Sequence, residues 1–203
     1  MKKANIKAII WDMGGVILRT DDFSSRDLLA KKLGSTRKDL EKEVFYSASA
    51  IQATLGTITS KDHWQNIANH FHLDAQGLED FIKGFWEGDR MDIELVDYIR
   101  KLKNSFRTGL LSNAWSDTRN MLINRHPCLD AFHEAIFSAE VHLMKPDPKI
   151  YHLILDKLRV LPGESIFVDD FPENITGAQE VGIHGILFQT REQTITEIDQ
   201  LIS

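Results

Sequence analysis

The chain has 203 residues, 42% of them hydrophobic and 27% charged, enough to bury roughly 70% of its unfolded surface and without the bias of a disordered segment. Its single cysteine, Cys128, excludes an internal disulfide framework and fits a reducing, cytoplasmic setting. A net charge of −6 argues against nucleic acid or an anionic membrane as the main partner, and no apolar run approaches the roughly 20 residues of a membrane span.

Near the N-terminus the apolar stretch Ala8-Ile9-Ile10-Trp11 stops at Asp12, too soon for a signal peptide. Ile6–Trp11 instead has the β-branched, apolar pattern of a strand buried on both faces. Gly14-Gly15 breaks it, and Val16-Ile17-Leu18 is expected to continue in extended form. From Arg19 to Glu87 apolar residues recur at helical spacing: Leu28, Leu29 and Leu33, then Leu40, Val44 and Phe45. Thr59-Ser60-Lys61-Asp62 resembles a capping box that opens a helix through Trp64, Ile67 and Phe71, and Leu78, Phe81, Ile82 and Phe85 mark another. No strand is expected in this segment, which reads as an all-helical insertion.

After Asp92 strands and helices alternate. The pattern predicts a helix over Ile93–Leu102, a strand over Arg107–Ser112 and a helix from about Ser116 to Asn124. A strand over Ala135–Ser138 and a helix opening near Pro148 come next, then a strand over Ser165–Val168 ending in Asp169-Asp170. A helix from Pro172, a strand over Ile186–Phe188 and a helix over Thr194–Ile202 complete the chain. Such alternation implies a doubly wound parallel α/β sheet with helices on both faces.

In sheets of this kind ligands sit outside the carboxyl ends of the strands. Asp12, Ser112-Asn113, Lys145 and Asp169-Asp170 all fall at or just past those ends, distant in sequence but expected on one rim. Three carboxylates at one spot repel one another unless a hard cation joins them, and oxygen ligands with room for water favour Mg2+. A carboxylate left partly free can attack phosphorus, while Lys145 and the Ser112 hydroxyl stabilise phosphoryl oxygens.

The stretches IIWDMGGVIL, LLSNAWS, HLMKPDPKIY and IFVDDFPENITGAQEVGI resemble the four ordered motifs of the haloacid dehalogenase superfamily, nearest its bacterial sugar-phosphatase branch. The resemblance covers residues 6–18 and about 92–190. It implies a Rossmann-like hydrolase core over residues 1–18 and 88–203, with residues 19–87 as a helical cap inserted after the first strand. It further implies a phosphoric monoester hydrolase acting on a small phosphorylated substrate, with Asp12 as nucleophile and Lys145 bridging nucleophile and phosphate. Ser112 and Asn113 would bind phosphate. Asp12, the Gly14 carbonyl, Asp169 and Asp170 would hold Mg2+, with Asp169 ligating directly or through water. Asn174 stands where many relatives have a further carboxylate and is expected to orient water or Asp170. Trp115, close behind the Ser-Asn pair, is a candidate to flank the site.

One feature departs from the family pattern. Most of its phosphatases carry a second aspartate two residues after the nucleophile as general acid and base, and here that position is Gly14. The departure suggests a leaving group that needs little protonation, such as a sugar 1-phosphate. It also leaves open a metal-independent dehalogenase, which lacks that aspartate too, and a catalytically weak relative kept for binding. Against the dehalogenase, Asp169-Asp170 would then be unexplained negative charge beside the nucleophile. A receiver-type phosphorylation sensor joins the same residue types, but its aspartate lies mid-chain and it has no helical insertion. Cys128 is expected to be inert, and the eight histidines show no ligand spacing.

Overall fold

A computed structural model describes residues 5–203; residues 1–4 of the expected core segment lie outside the described residues. Five parallel strands form the central sheet: β1 (Ala8–Trp11), β4 (Arg107–Ser112), β5 (Glu134–Phe137), β6 (Ser165–Asp169) and β7 (His184–Leu187), in the order β5-β4-β1-β6-β7. Every residue of β1 and β6 is buried, as expected of strands covered on both faces.

Alternation along the strands divides the core in two. Ile9, Trp11, Leu110, Ile166 and Val168 point to one face, where helices α6 (Ile93–Leu102) and α11 (Arg191–Ile202) bring Leu95, Val96, Ile99 and Ile198. Ile10, Leu111, Ile136 and Phe167 point to the other, covered by α9 (Pro148–Leu158) and α10 (Pro172–Glu180) through Ile150, Tyr151, Ile154, Ile175 and Ala178. Pro148 and Pro172 each open their helix, where a missing N–H costs nothing. Two further helices, α7 (Thr118–Arg125) and the single turn α8 (Ser138–Val141), follow β4 and β5. No described helix is long and apolar enough to cross a membrane.

Between β1 and α6 lie five helices: α1 (Ser24–Lys32), α2 (Arg37–Tyr46), α3 (Ala48–Thr54), α4 (Ser60–His70) and α5 (Ala75–Trp86). Leu40, Val44, Trp64, Ile67, Phe81 and Phe85 form their common core. The expected capping box is present, with Asp62 N–H donating to the Thr59 hydroxyl at 3.1 Å and Thr59 N–H to the Asp62 carboxylate at 2.9 Å.

Local details differ from the sequence reading. Val16 and Ile17 are not extended: with Leu18 they turn their N–H groups onto the single carbonyl of Met13. Extended structure resumes at β2 (Leu18–Thr20), which pairs antiparallel with β3 (Asp89–Met91), so the supposedly strand-free segment begins inside a two-stranded ribbon. Neither strand was legible, because each has three residues and Asp89-Arg90 has no apolar alternation. β5 and β7 are displaced toward the N-terminus from their expected spans, since Ser138 already begins α8 and Phe188 lies beyond the ladder.

Candidate active site

Strand register fixes the site. Trp11 pairs with Leu110 on one side and Val168 on the other, so the next residue, Asp12, stands level with Asp169 and within one residue of Ser112. Asp12 N–H donates to the Val168 carbonyl at 2.8 Å, extending the ladder by one bond. The carboxyl ends of β1, β4 and β6 thus present Asp12, Ser112 and Asp169 on one rim, all buried. Asp170 follows directly, and Asp12, Asp169 and Asp170 offer oxygens that all lie within 4.8 Å of one another.

Lys145 reaches this rim from the loop between α8 and α9, and only 1% of its surface is exposed. Its Nζ stands 2.7 Å from Asp12 Oδ1 and 2.6 Å from Asp169 Oδ2. One ammonium therefore faces three carboxylates, which leaves the site electrostatically unbalanced. Burial first, then the Asp169 and Asp170 charges, push the Asp12 carboxyl up to about 7 against the pull of Lys145. Burial and Asp169 push Asp170 up to about 6. Contact with Asp12 and Asp169 raises Lys145 despite its burial.

The carboxylates divide by hydrogen bonding. Asp169 is tethered: Lys145 and Asn174 donate to Oδ2, and Phe171 N–H at 2.8 Å and Asn174 again donate to Oδ1. This corrects the expectation for Asn174. Both Asp169 oxygens accept hydrogen bonds, so it positions Lys145 whether or not it also ligates, and the Asn174 amide holds Asp169 at 3.0 Å rather than orienting Asp170. Asp170 is the opposite case, since its Oδ1 is buried without any hydrogen-bond partner. An orphaned buried carboxylate oxygen is costly, and a cation beside it removes the cost. The all-oxygen donor set suits a hard divalent ion, with the free oxygen of Asp12, Asp170 and the Gly14 carbonyl as candidate ligands.

Glycine is required at Gly15, where φ is +76° and any Cβ would overlap the Asp170 carboxylate. At Gly14 a Cβ would meet nothing within 4 Å, so open space stands where family phosphatases carry their second acid. The Asn113 side chain is also committed elsewhere: its Oδ1 accepts from Lys145 N–H at 2.8 Å and its Nδ2 donates to the Lys145 carbonyl at 2.9 Å. It fixes the lysine loop and leaves only its backbone N–H for an anion. Trp115 joins the helical core, with ring centroids 4.7 Å from His63, 5.3 Å from Trp64 and 6.2 Å from Trp86.

Two contributors had no sequence signal. Ser138 Oγ accepts from Ala114 N–H at 2.9 Å and lies 2.7 Å from the Thr54 carbonyl, tying the loop after Ser112 to the end of α3. Tyr46, at the largely exposed end of α2, has its phenol raised by partial burial and then by the charges of Asp170, Glu41 and Glu173. Arg19 and Arg119 are engaged by Asp92 and Glu140, and the Cys128 thiol is pushed up to about 11 by burial.

The carboxyl rim of a doubly wound sheet thus joins an aspartate after the first strand, a buried lysine and a late acidic pair. The family model for haloacid dehalogenase-like hydrolases matches residues 6–182, and the chain belongs to that family. It is 27% identical over 185 residues to a D-ribitol-5-phosphate phosphatase of Bacteroides thetaiotaomicron, covering 87% of this chain and 89% of that one. It is 33% identical over 103 residues to bifunctional epoxide hydrolase 2 of Rattus norvegicus, of whose length the match spans 19%. A wild-type enzyme of the same family from Bacteroides thetaiotaomicron, solved in complex with magnesium and inorganic phosphate, superposes with a TM-score of 0.76 at 23% identity, covering 92% of this chain and 96% of that one.

Proposed function

We propose that this protein is a magnesium-dependent phosphatase of small phosphorylated metabolites that works through an aspartyl-phosphate on Asp12. The observation that carries the reading is the imbalance of three gathered carboxylates around one lysine, with Asp170 Oδ1 buried and unpartnered. The phosphatase relative and the magnesium and phosphate bound by the similar structure support it.

When bound, magnesium supplies the positive charge that offsets the carboxylates and draws the phosphoryl oxygens to the site. Lys145 fixes Asp12 through Oδ1, whose remaining lone pair attacks phosphorus as the P–O bond to the leaving group breaks, while Oδ2 would face the metal. The departing oxygen keeps the bond's electron pair. Gly14 provides no proton for it, so leaving groups stable as anions are favoured, among them a sugar 1-phosphate's anomeric oxygen. A water then attacks the phosphorus of the aspartyl-phosphate, releasing inorganic phosphate and restoring the Asp12 carboxylate. Ser112 and the buried Lys145 ammonium stabilise the phosphoryl oxygens in both steps. We read residues 19–87 as the cap that closes over this rim and selects the leaving group, with Trp115 of the core packed against its apolar cluster.

The test is p-nitrophenyl phosphate hydrolysis by the wild type and Asp12→Asn, each with magnesium and with EDTA. Wild-type turnover is expected to require magnesium, and Asp12→Asn to lose at least roughly 10³-fold in kcat. Undiminished activity in EDTA, or in Asp12→Asn, would overturn the reading; EDTA-resistant release of halide from a 2-haloacid would instead favour the dehalogenase.

A further inference from the structure

At the opposite end of the sheet, where β1 and β4 begin, a groove of about 450 Å³ is lined by Ile6, Lys7, Lys103, Arg107, His133 and Arg159 with neighbouring backbone. Every ionisable group in its lining is a cation or a histidine, on a protein of net charge −6. Of the bordering acids, Glu164 is paired with Lys7 at 2.6 Å, and Glu134 lies within electrostatic reach of His133. Lys103 Nζ donates to the Asp130 and Phe132 carbonyls, and the Asp130 carboxylate, within its electrostatic reach, is already held by Arg100. Arg107 and Arg159 are exposed and have no ion-pair partner among the described residues.

Two details indicate a built arrangement. His133 Nδ1 accepts from Thr108 N–H at 3.1 Å, so in the neutral ring the proton sits on Nε2 as a donor. Arg159 ends α9 at φ +57°, a left-handed position where glycine is the ordinary occupant. An arginine there is held against its backbone preference.

We propose that this groove binds a phosphorylated small molecule carrying two or more negative charges. Its volume lies within the range of small-molecule sites, roughly 300–1,000 Å³. Forked guanidinium groups, an ammonium and an imidazole N–H offer donors from several directions to tetrahedral phosphate oxygens. The site is independent of the catalytic rim, from which it is separated by the length of β1.

The test uses the full chain in EDTA, titrated with pyrophosphate and, separately, with citrate, and followed by amide chemical shifts. Pyrophosphate is expected to move Thr108, His133 and Arg159 while leaving Asp12 and Asp170 in place. Arg159→Gly removes the left-handed penalty, so its Tm should stay level or rise while affinity falls about threefold to fivefold; Arg107→Ala with Arg159→Gly should lower it further. No shift at these residues up to about 10 mM pyrophosphate, or shifts unchanged in the double variant, would overturn the site. Citrate binding as tightly as pyrophosphate would overturn the phosphate assignment.

Discussion

Gly14 is exposed, its φ is not left-handed, and a Cβ placed there would meet no atom within 4 Å. Neither backbone strain nor crowding therefore accounts for the absence of a side chain at this position, and Gly14→Asp should fold. A carboxyl two residues after the nucleophile can protonate a departing alkoxide, a contribution of about 10²–10⁴-fold in favourable cases. The expected outcome is a rise of about tenfold or more in kcat/KM for simple alkyl phosphates, with little change for p-nitrophenyl phosphate, whose leaving group needs no proton. Equal effects on both substrates would count against a missing general acid. Asp12 and Asp169-Asp170 were legible because each follows an apolar run at a strand end, and Lys145 because of its Lys-Pro-Asp-Pro setting. The offices of Asn113, Asn174 and Ser138 were not, because their partners are backbone or carboxylate groups that only the folded chain brings within reach.

At the scale of elements, the long periodic segments could be read and the short ones could not. The Thr59 capping box and the apolar runs of β1, β4 and β6 are local signals, whereas the ribbon of β2 and β3 exists only because two distant three-residue stretches meet. The docking of α3 onto α8 is equally non-local. There Gly56, at φ +68°, packs so closely on the Ala139 carbonyl that a Cβ would overlap it, and His142 Nδ1 lies 2.9 Å from the Leu55 carbonyl. Gly34 has a similar φ of +65° with open space around it. Gly34→Ala should thus cost only the left-handed penalty, about 1 kcal/mol, while Gly56→Ala adds the collision and should cost about 2–4 kcal/mol. Urea denaturation of the two variants checks this; equal losses would mean that α3 is not held at Ala139.

Across the whole molecule, the site's charge couples metal binding to folding and to pH. Asp12 and Asp170 have folded-state values of about 7 and about 6, above the ordinary 3.8. Between those values the metal-free folded chain holds protons that the unfolded chain has released, so these two groups make it less stable as pH rises from about 4 to 7. His63 acts in the other direction: burial lowers it, so its contribution is lost as pH falls through the ordinary histidine range. The difference between magnesium and EDTA at each pH removes the histidine from the comparison. Magnesium competes with protons for the same carboxylates, so its gain in Tm should be small near pH 5.5 and larger near pH 7.5. At about a hundred times its Kd the gain should be roughly 5–10 °C. Scanning calorimetry tests this, and a gain independent of pH would contradict it.

The ribbon at Leu18–Thr20 and Asp89–Met91 has one more consequence. The polypeptide leaves the sheet and returns to it on adjacent, mutually bonded strands, and Arg19 fastens the exit to Asp92 just past the return. To the sheet, everything between is a closed loop whose two ends are bonded to each other. Lengthening, shortening or reshaping that excursion is therefore expected to leave the pairing of β1 with β4 undisturbed, much as an inserted domain is tolerated where its two ends lie side by side.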